Sequence, residues 1–204
     1  MNPLNHTALN GHLDKWFESE AHFSLLYPTA IQQLDPMHWT PLAVATKAMN
    51  FLKTGAGVRI LDIGSGIGKF CLAGAYHKPR AQFVGVEQRR SLIEYARSAQ
   101  GLLGLGNVTF IQGNFTQVDF KEFNHFYFFN SFGENLTEQY RIDESIDYSA
   151  ELYHYYSTYL HHKLDTLRSG TRFVNYCSLD DEVPLSYQLV KTYFEGKLKC
   201  WVKR

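Results

Sequence analysis

Short apolar runs and longer amphipathic stretches alternate along this 204-residue chain. The runs fall at Val58-Arg59-Ile60-Leu61, Gln82-Phe83-Val84-Gly85-Val86, Asn107-Val108-Thr109-Phe110-Ile111, Phe123 to Phe129 and Thr171 to Cys177. Each has the length of a buried strand and is too short for a core helix. Between them, apolar residues recur at helical spacing: Phe70, Leu72, Ala73 and Ala75, then Leu92, Ile93 and Ala96 within Arg89–Gln100. A long helical region is predicted from Asp143 to Arg168, with Leu152, Tyr156, Tyr159, Leu160, Leu164 and Leu167 on one side and Gly170 at its end. Thr40-Pro41 reads as an N-cap followed by proline at the first helical position, opening a helix through Leu42, Ala45, Met49 and Leu52 that Gly55 stops. Tyr187–Phe194 and Leu198–Val202 are strand candidates joined by Glu195-Gly196-Lys197, a hairpin signal. The order is five alternating β/α units and then a hairpin.

The most informative stretch is the junction after the first run, Asp62-Ile63-Gly64-Ser65-Gly66-Ile67-Gly68-Lys69. A strand, a tight glycine turn and a helix start bring a ligand close to peptide N–H groups. The dinucleotide fingerprint G-x-G-x-x-G needs its third glycine at the position of Lys69, and Asp62 would repel a pyrophosphate. A phosphate-binding P-loop fails as well, because no G-K-[ST] closes the turn. The second run ends in Glu87, where an acid can accept from two ribose hydroxyls; an acid favoured by the helix macrodipole is the plainer alternative. The third run leads into Gly113-Asn114-Phe115, and the fourth ends in Asn130-Ser131-Phe132-Gly133-Glu134.

The pattern D-x-G-x-G-x-G at Asp62–Gly68 resembles motif I of the class I S-adenosylmethionine-dependent methyltransferases. Together with Gly85-Val86-Glu87, Gly113-Asn114-Phe115 and Phe129-Asn130-Ser131-Phe132, it is similar to the non-SET histone lysine methyltransferases, over roughly residues 58 to 135. Lys69 stands where that family has an amide residue, and Asn114 where it has an acid. The resemblance implies an α/β fold: a Rossmann-like, doubly wound, seven-stranded, mostly parallel sheet with a C-terminal antiparallel hairpin. Residues 1–39 would be an N-terminal helical extension and 40–204 the methyltransferase domain. The cofactor implied is S-adenosyl-L-methionine, lying across the carboxyl ends of the first, second and fourth strands. Asp62 and the turn Gly64, Ser65, Gly66 and Gly68 would hold its amino-acid part, Glu87 the ribose, and Asn114 with Phe115 the adenine, with Gln88 a further cofactor contact. Asn130 would face the methyl group as the catalytic residue and also touch the cofactor. Thr40 is the remaining cofactor candidate, although simple capping suffices for it.

Composition narrows the acceptor. Lys+Arg and Asp+Glu both total 20, so no net field draws a polyanion, and nucleic acid is not expected as a partner. Glu134 to Asp147 is locally acidic and reads either as a lip attracting an amine or as an exposed acidic helix start. Tyr148, Tyr153, Tyr155, Tyr156 and Tyr159 are read mainly as packing, with one or two at the acceptor pocket. A protein amine or a small molecule is the expected methyl acceptor. Cys71, Cys177 and Cys200 are read as reduced core residues in element interiors, no Cys/His spacing suggests a metal, and no signal peptide or membrane span is expected. These features point to a cytoplasmic protein. Two alternatives stay open: a non-catalytic binding protein of the same fold, and a nicotinamide-dependent oxidoreductase, for which Tyr159 and Lys163 have the Tyr-x-x-x-Lys spacing.

Overall fold

The computed structural model describes residues 13–204; residues 1–12, the start of the expected extension and of the expected leaderless N-terminus, lie outside the described residues. Seven strands form one sheet: β1 (Arg59–Ile63), β2 (Gln82–Glu87), β3 (Val108–Gln112), β4 (His125–Phe129), β5 (Arg172–Tyr176), β6 (Tyr187–Tyr193) and β7 (Leu198–Lys203). Their order is β3-β2-β1-β4-β5-β7-β6. β1 to β5 pair in parallel, and β7 runs antiparallel to both β5 and β6. This is the doubly wound, seven-stranded sheet with a terminal hairpin that the sequence leads one to expect.

Strand alternation divides the core. Ile60, Phe83, Phe110, Tyr127 and Val174 belong to the cluster that contains the buried faces of α4 (Leu42–Phe51), α5 (Lys69–His77) and α6 (Arg90–Leu103). Leu61, Ile63, Val84, Phe126, Phe128 and Phe173 belong to the cluster that contains Leu160 and Leu164 of α7 (Ala150–Asp165). A strand turns successive side chains to opposite faces, so one apolar run feeds both layers.

Three expectations are corrected. The β3–β4 connection holds two 3-10 turns, Phe115–Gln117 and Phe120–Glu122, in place of an α-helix. Asn114 and Asp119 cap them through their side chains, and the rings of Phe115, Phe120 and Phe123 fill the layer a helix would occupy. The long helix starts at Ala150, not Asp143, because Ser149 accepts from the Leu152 N–H and sets the N-terminus there. Cys177 is not a core residue. It follows β5, sits exposed at φ 54°, and contrasts with buried Cys71 and Cys200.

The short helices α1 (Glu20–Ser24), α2 (Thr29–Gln32) and α3 (Asp35–His38) lie ahead of α4. Phe23, Tyr27 and Trp39 join the same core cluster as α4 to α6, and Tyr27 donates to the Ile67 carbonyl at 3.0 Å. Segment 20–39 is thus packed against the turn after β1. Among the described residues, no helix is long and apolar enough to cross a membrane.

Candidate active site

A cavity of about 530 Å³ opens at the carboxyl ends of β1 to β5. Ile63 and Gly64 reach it from β1, Glu87 and Gln88 from β2, Gly113 and Phe115 from β3, Asn130 and Ser131 from β4, and Tyr176 and Cys177 from β5. Parallel strands bring their ends together where the strand order reverses, between β1 and β4.

The glycine turn is shaped by close approach. Gly64 sits at φ +72°, and a Cβ there would lie 2.1 Å from Ser131 Oγ, which donates to the Ile63 carbonyl at 2.9 Å. The start of the turn is therefore clamped to the end of β4. Gly66, at φ +53°, has the opposite surroundings: an added Cβ meets nothing within 4 Å, and the residue lines the cavity. Most of the turn's N–H groups are spent internally. Gly64 and Ser65 donate to Val86 O, Gly68 to Ser65 O, and Gly66 to Glu87 Oε2 at 3.2 Å.

Glu87 lines the cavity while buried, its Oε1 taking the Arg89 N–H at 2.9 Å. Burial raises its pKa, and the hydrogen bond and charge of Arg89 oppose the shift. Arg89, 4% exposed, pairs in bidentate fashion with Glu134 (3.1 and 2.5 Å), reaches Asp143 at 3.1 Å and the Tyr148 hydroxyl at 2.7 Å. Burial disfavours its charge, but Glu134 and Glu87 outweigh that and hold the guanidinium protonated. The acidic segment thus begins neither a helix nor a free lip: Glu134 is buried and neutralised, and Asp147 lines the cavity.

Six of the eleven expected cofactor residues line the cavity: Gly64, Gly66, Glu87, Gln88, Phe115 and Asn130. Phe115 packs edge-on against Tyr156, which also lines it. Asn130 takes a left-handed backbone, φ 37°, and its carboxamide has no hydrogen-bond partner among the described residues. The other five face elsewhere. Thr40 does not cap α4: its hydroxyl pairs with the Tyr127 hydroxyl at 3.0 Å, and the Leu42 N–H is taken by Glu20 Oε1 at 2.7 Å. Ser65 packs over Gly85, and Gly68 precedes α5 in a left-handed conformation. Asn114 uses its carbonyl on Thr116 and its amide on Gln88 and Tyr156. Asp62 is 3% exposed, 3.5 Å from Cys71 Sγ, and burial raises its pKa to about 8.

The spacing gives no sign of Arg89, Trp39, Asp35 or Glu20, yet all four line the cavity, alongside Glu134, Asp147 and Lys197. Lys69, 2% exposed, pairs with Glu20 at 2.6 Å and Asp35 at 2.9 Å. The only early hint is Lys69 itself, a cation inside an otherwise apolar helix start, which needs an acid from elsewhere. Among the described residues, no group of three or more His, Cys, Asp or Glu side chains is placed to hold a metal ion.

The donor set fits S-adenosylmethionine. Open space at Gly66, an apolar ring at Phe115, a carboxylate at the end of β2 and a surplus of acids over cations along the wall suit an adenosine bearing a cationic tail. Residues 54–195 match the family described as methyltransferase domain. A tRNA (guanine-N(7)-)-methyltransferase from Synechococcus sp. (strain JA-3-3Ab) is 48% identical over 54 residues, 26% of this chain and 23% of that protein. The match therefore spans about a quarter of that relative's length. An RNA methyltransferase from Salinibacter ruber, solved in complex with S-adenosyl-L-homocysteine, superimposes with a TM-score of 0.57 at 20% identity, covering 81% of this chain and 93% of that one. A precorrin-6y C5,15-methyltransferase from Geobacter metallireducens GS-15 superimposes with a TM-score of 0.56 at 13% identity, covering 82% and 90%. At such identities the likeness is one of fold.

Proposed function

We propose that this chain, which belongs to the methyltransferase domain family, transfers the methyl group of S-adenosylmethionine to an amine nitrogen. The methyltransferase activity and its cofactor come with the family; the acceptor is the proposal. S-adenosylmethionine supplies a methyl group on a sulfonium, open to in-line attack by a lone pair. The protein then has to position two reactants and exclude water, which supplies several kcal/mol without elaborate proton chemistry.

In this reading Glu87 and Gln88 take the ribose, Phe115 covers the adenine, and Gly64 and Gly66 leave the backbone room for both. Thr40, Asp62, Ser65, Gly68 and Asn114 support the site from behind, through Tyr127, Cys71, Gly85, α5 and Gln88. The observation that carries the amine reading is Asn130. Its unpartnered carboxamide, at the end of β4, offers a carbonyl to an amine N–H and leaves the nitrogen lone pair free. His38 also lines the cavity, and burial lowers its pKa, so at neutral pH it can accept the proton that an ammonium sheds. A protein lysine belongs to this acceptor class, in keeping with the motif resemblance, although neither relative nor structure named above is a lysine methyltransferase. A cytoplasmic setting goes with the same proposal, since all three cysteines are free.

RNA is the second reading, favoured by the names of the tRNA and RNA methyltransferases. The balance of 20 basic against 20 acidic residues counts against it. The test is titration calorimetry with S-adenosylmethionine and with NAD, followed by labelled-methyl transfer to a lysine peptide, small amines and bulk tRNA. Binding of S-adenosylmethionine alone, with label on an amine, is expected. Label in tRNA alone overturns the amine, and replacing Asn130 with alanine should cut transfer at least about tenfold while the cofactor still binds.

A further inference from the structure

The sequence assigns the amino-acid end of the cofactor to Asp62 and the glycine turn, but the Asp62 carboxyl is buried beside Cys71 and does not line the cavity, and the N–H groups of Gly64, Ser65, Gly66 and Gly68 are already engaged. Other residues do line it at the β1 side. We infer that the amino-acid moiety is held by the N-terminal segment, with Asp35 and Glu20 facing its ammonium and the Trp39 indole N–H donating to its carboxylate. This rests on the cofactor reading above and names residues outside every motif of that reading.

Three independent features carry it. Trp39 lines the cavity and is 4% exposed, yet its Nε1 has no hydrogen-bond partner among the described residues. A buried indole N–H left unpaired costs free energy that a ligand oxygen recovers. Next, Lys69 is a single cation shared by two carboxylates, Glu20 Oε2 at 2.6 Å and Asp35 Oδ1 at 2.9 Å, and its ammonium lies 5.1 Å from the Trp39 ring centroid. The group keeps a net negative charge, and both acids line the cavity. Such a pairing of surplus acid with a spare N–H donor suits a zwitterion better than an anion or an apolar group.

The sheet supplies the direction. Phe115 follows β3, Glu87 ends β2, and the glycine turn follows β1, so adenine, ribose and tail step along the order β3-β2-β1. Beyond the turn, Tyr27 holds the Ile67 carbonyl and Lys69 holds Asp35, which puts the N-terminal segment where the tail arrives.

The experiment compares two probes by calorimetry: S-adenosylhomocysteine, which carries the amino acid, and 5′-methylthioadenosine, which lacks it. Trp39→Phe keeps a ring in the core and removes only the N–H; Asp35→Asn removes the charge at a partly exposed position. Each is expected to weaken S-adenosylhomocysteine roughly tenfold and to leave methylthioadenosine within about twofold. Equal weakening of both probes, or unchanged binding of the first, overturns the assignment. A wild-type protein that binds neither probe overturns the proposed function, and the subsite with it.

Discussion

One wall of the cavity, formed by Gly64, Gly66, Glu87 and Phe115, takes its shape from a few residues at the ends of three adjacent strands. The other, formed by residues 20–39 and 134–147, is held by ion pairs between groups 34 to 54 positions apart in the chain. In the first wall the backbone does the shaping, through positive φ and hydrogen bonds between neighbouring strand ends. In the second, two buried cations, Lys69 and Arg89, each gather acids from distant segments. The first wall is built from the strand ends and the glycine motif; the second is built from side chains that no motif in the sequence marks. A site grafted on a common fold takes its specificity from such additions.

The strongest way to break this comparison is to remove one gathering cation. Arg89→Met keeps much of the length and volume but leaves Glu87, Glu134 and Asp143 without their partner. Breaking a buried pair on one side costs about 3–5 kcal/mol, because the abandoned charge stays desolvated. Denaturant unfolding should show that loss, and residues 134–147 should become accessible to limited proteolysis first. A loss below about 1 kcal/mol would mean that this wall stands without its ion pairs.

Asp62 tests the first wall, since it belongs to the motif but turns away from the cavity. Its folded pKa of about 8 lies above the ordinary carboxylate value because burial penalises the charge. A group raised in the folded state contributes stability that is fully present below its unfolded pKa and is lost as pH rises through the folded value. The wild type should therefore weaken between about pH 4 and pH 8, and Asp62→Asn should flatten that slope. By pH 9 the wild type should have lost on the order of 5 kcal/mol relative to the variant, about four pH units between the unfolded and folded values at about 1.4 kcal/mol each, read from unfolding curves across the pH range. Parallel pH profiles for the two proteins would show that Asp62 stays ionised in the fold.

What the sequence discloses follows the same division. Strand runs, the Gly64–Gly68 turn, Glu87 and the terminal hairpin are visible because local periodicity and turn chemistry write them into adjacent residues. The Lys69–Asp35 and Arg89–Glu134 pairs leave no spacing to read, since nothing local fixes which acid a buried cation meets. Two local signals also mislead. The apolar side of α7 suggests a helix from Asp143, but Asp143 turns back onto the Ser145 N–H and Ser149 caps the helix six residues later. Thr40 has the form of a cap before Pro41, yet Glu20 reaches the Leu42 N–H from outside the local sequence.

Asn114 gives the smallest effect and the sharpest boundary between the two walls. The motif resemblance leads one to expect an acid at this position, and Asn114→Asp installs it. The carboxamide oxygen already accepts from the Thr116 N–H at 3.0 Å, and the amide donates to Gln88 at 3.0 Å and Tyr156 at 2.9 Å. A carboxylate keeps the Thr116 contact. Tyr156 can reverse its hydroxyl to donate, and Gln88 can flip its amide to do the same. The net change in stability should stay under about 1 kcal/mol, and cofactor affinity should move by no more than about threefold. A rise of tenfold or more on calorimetry would instead put residue 114 on the adenine, and the boundary of the cofactor wall would then run through Asn114 as well as Phe115.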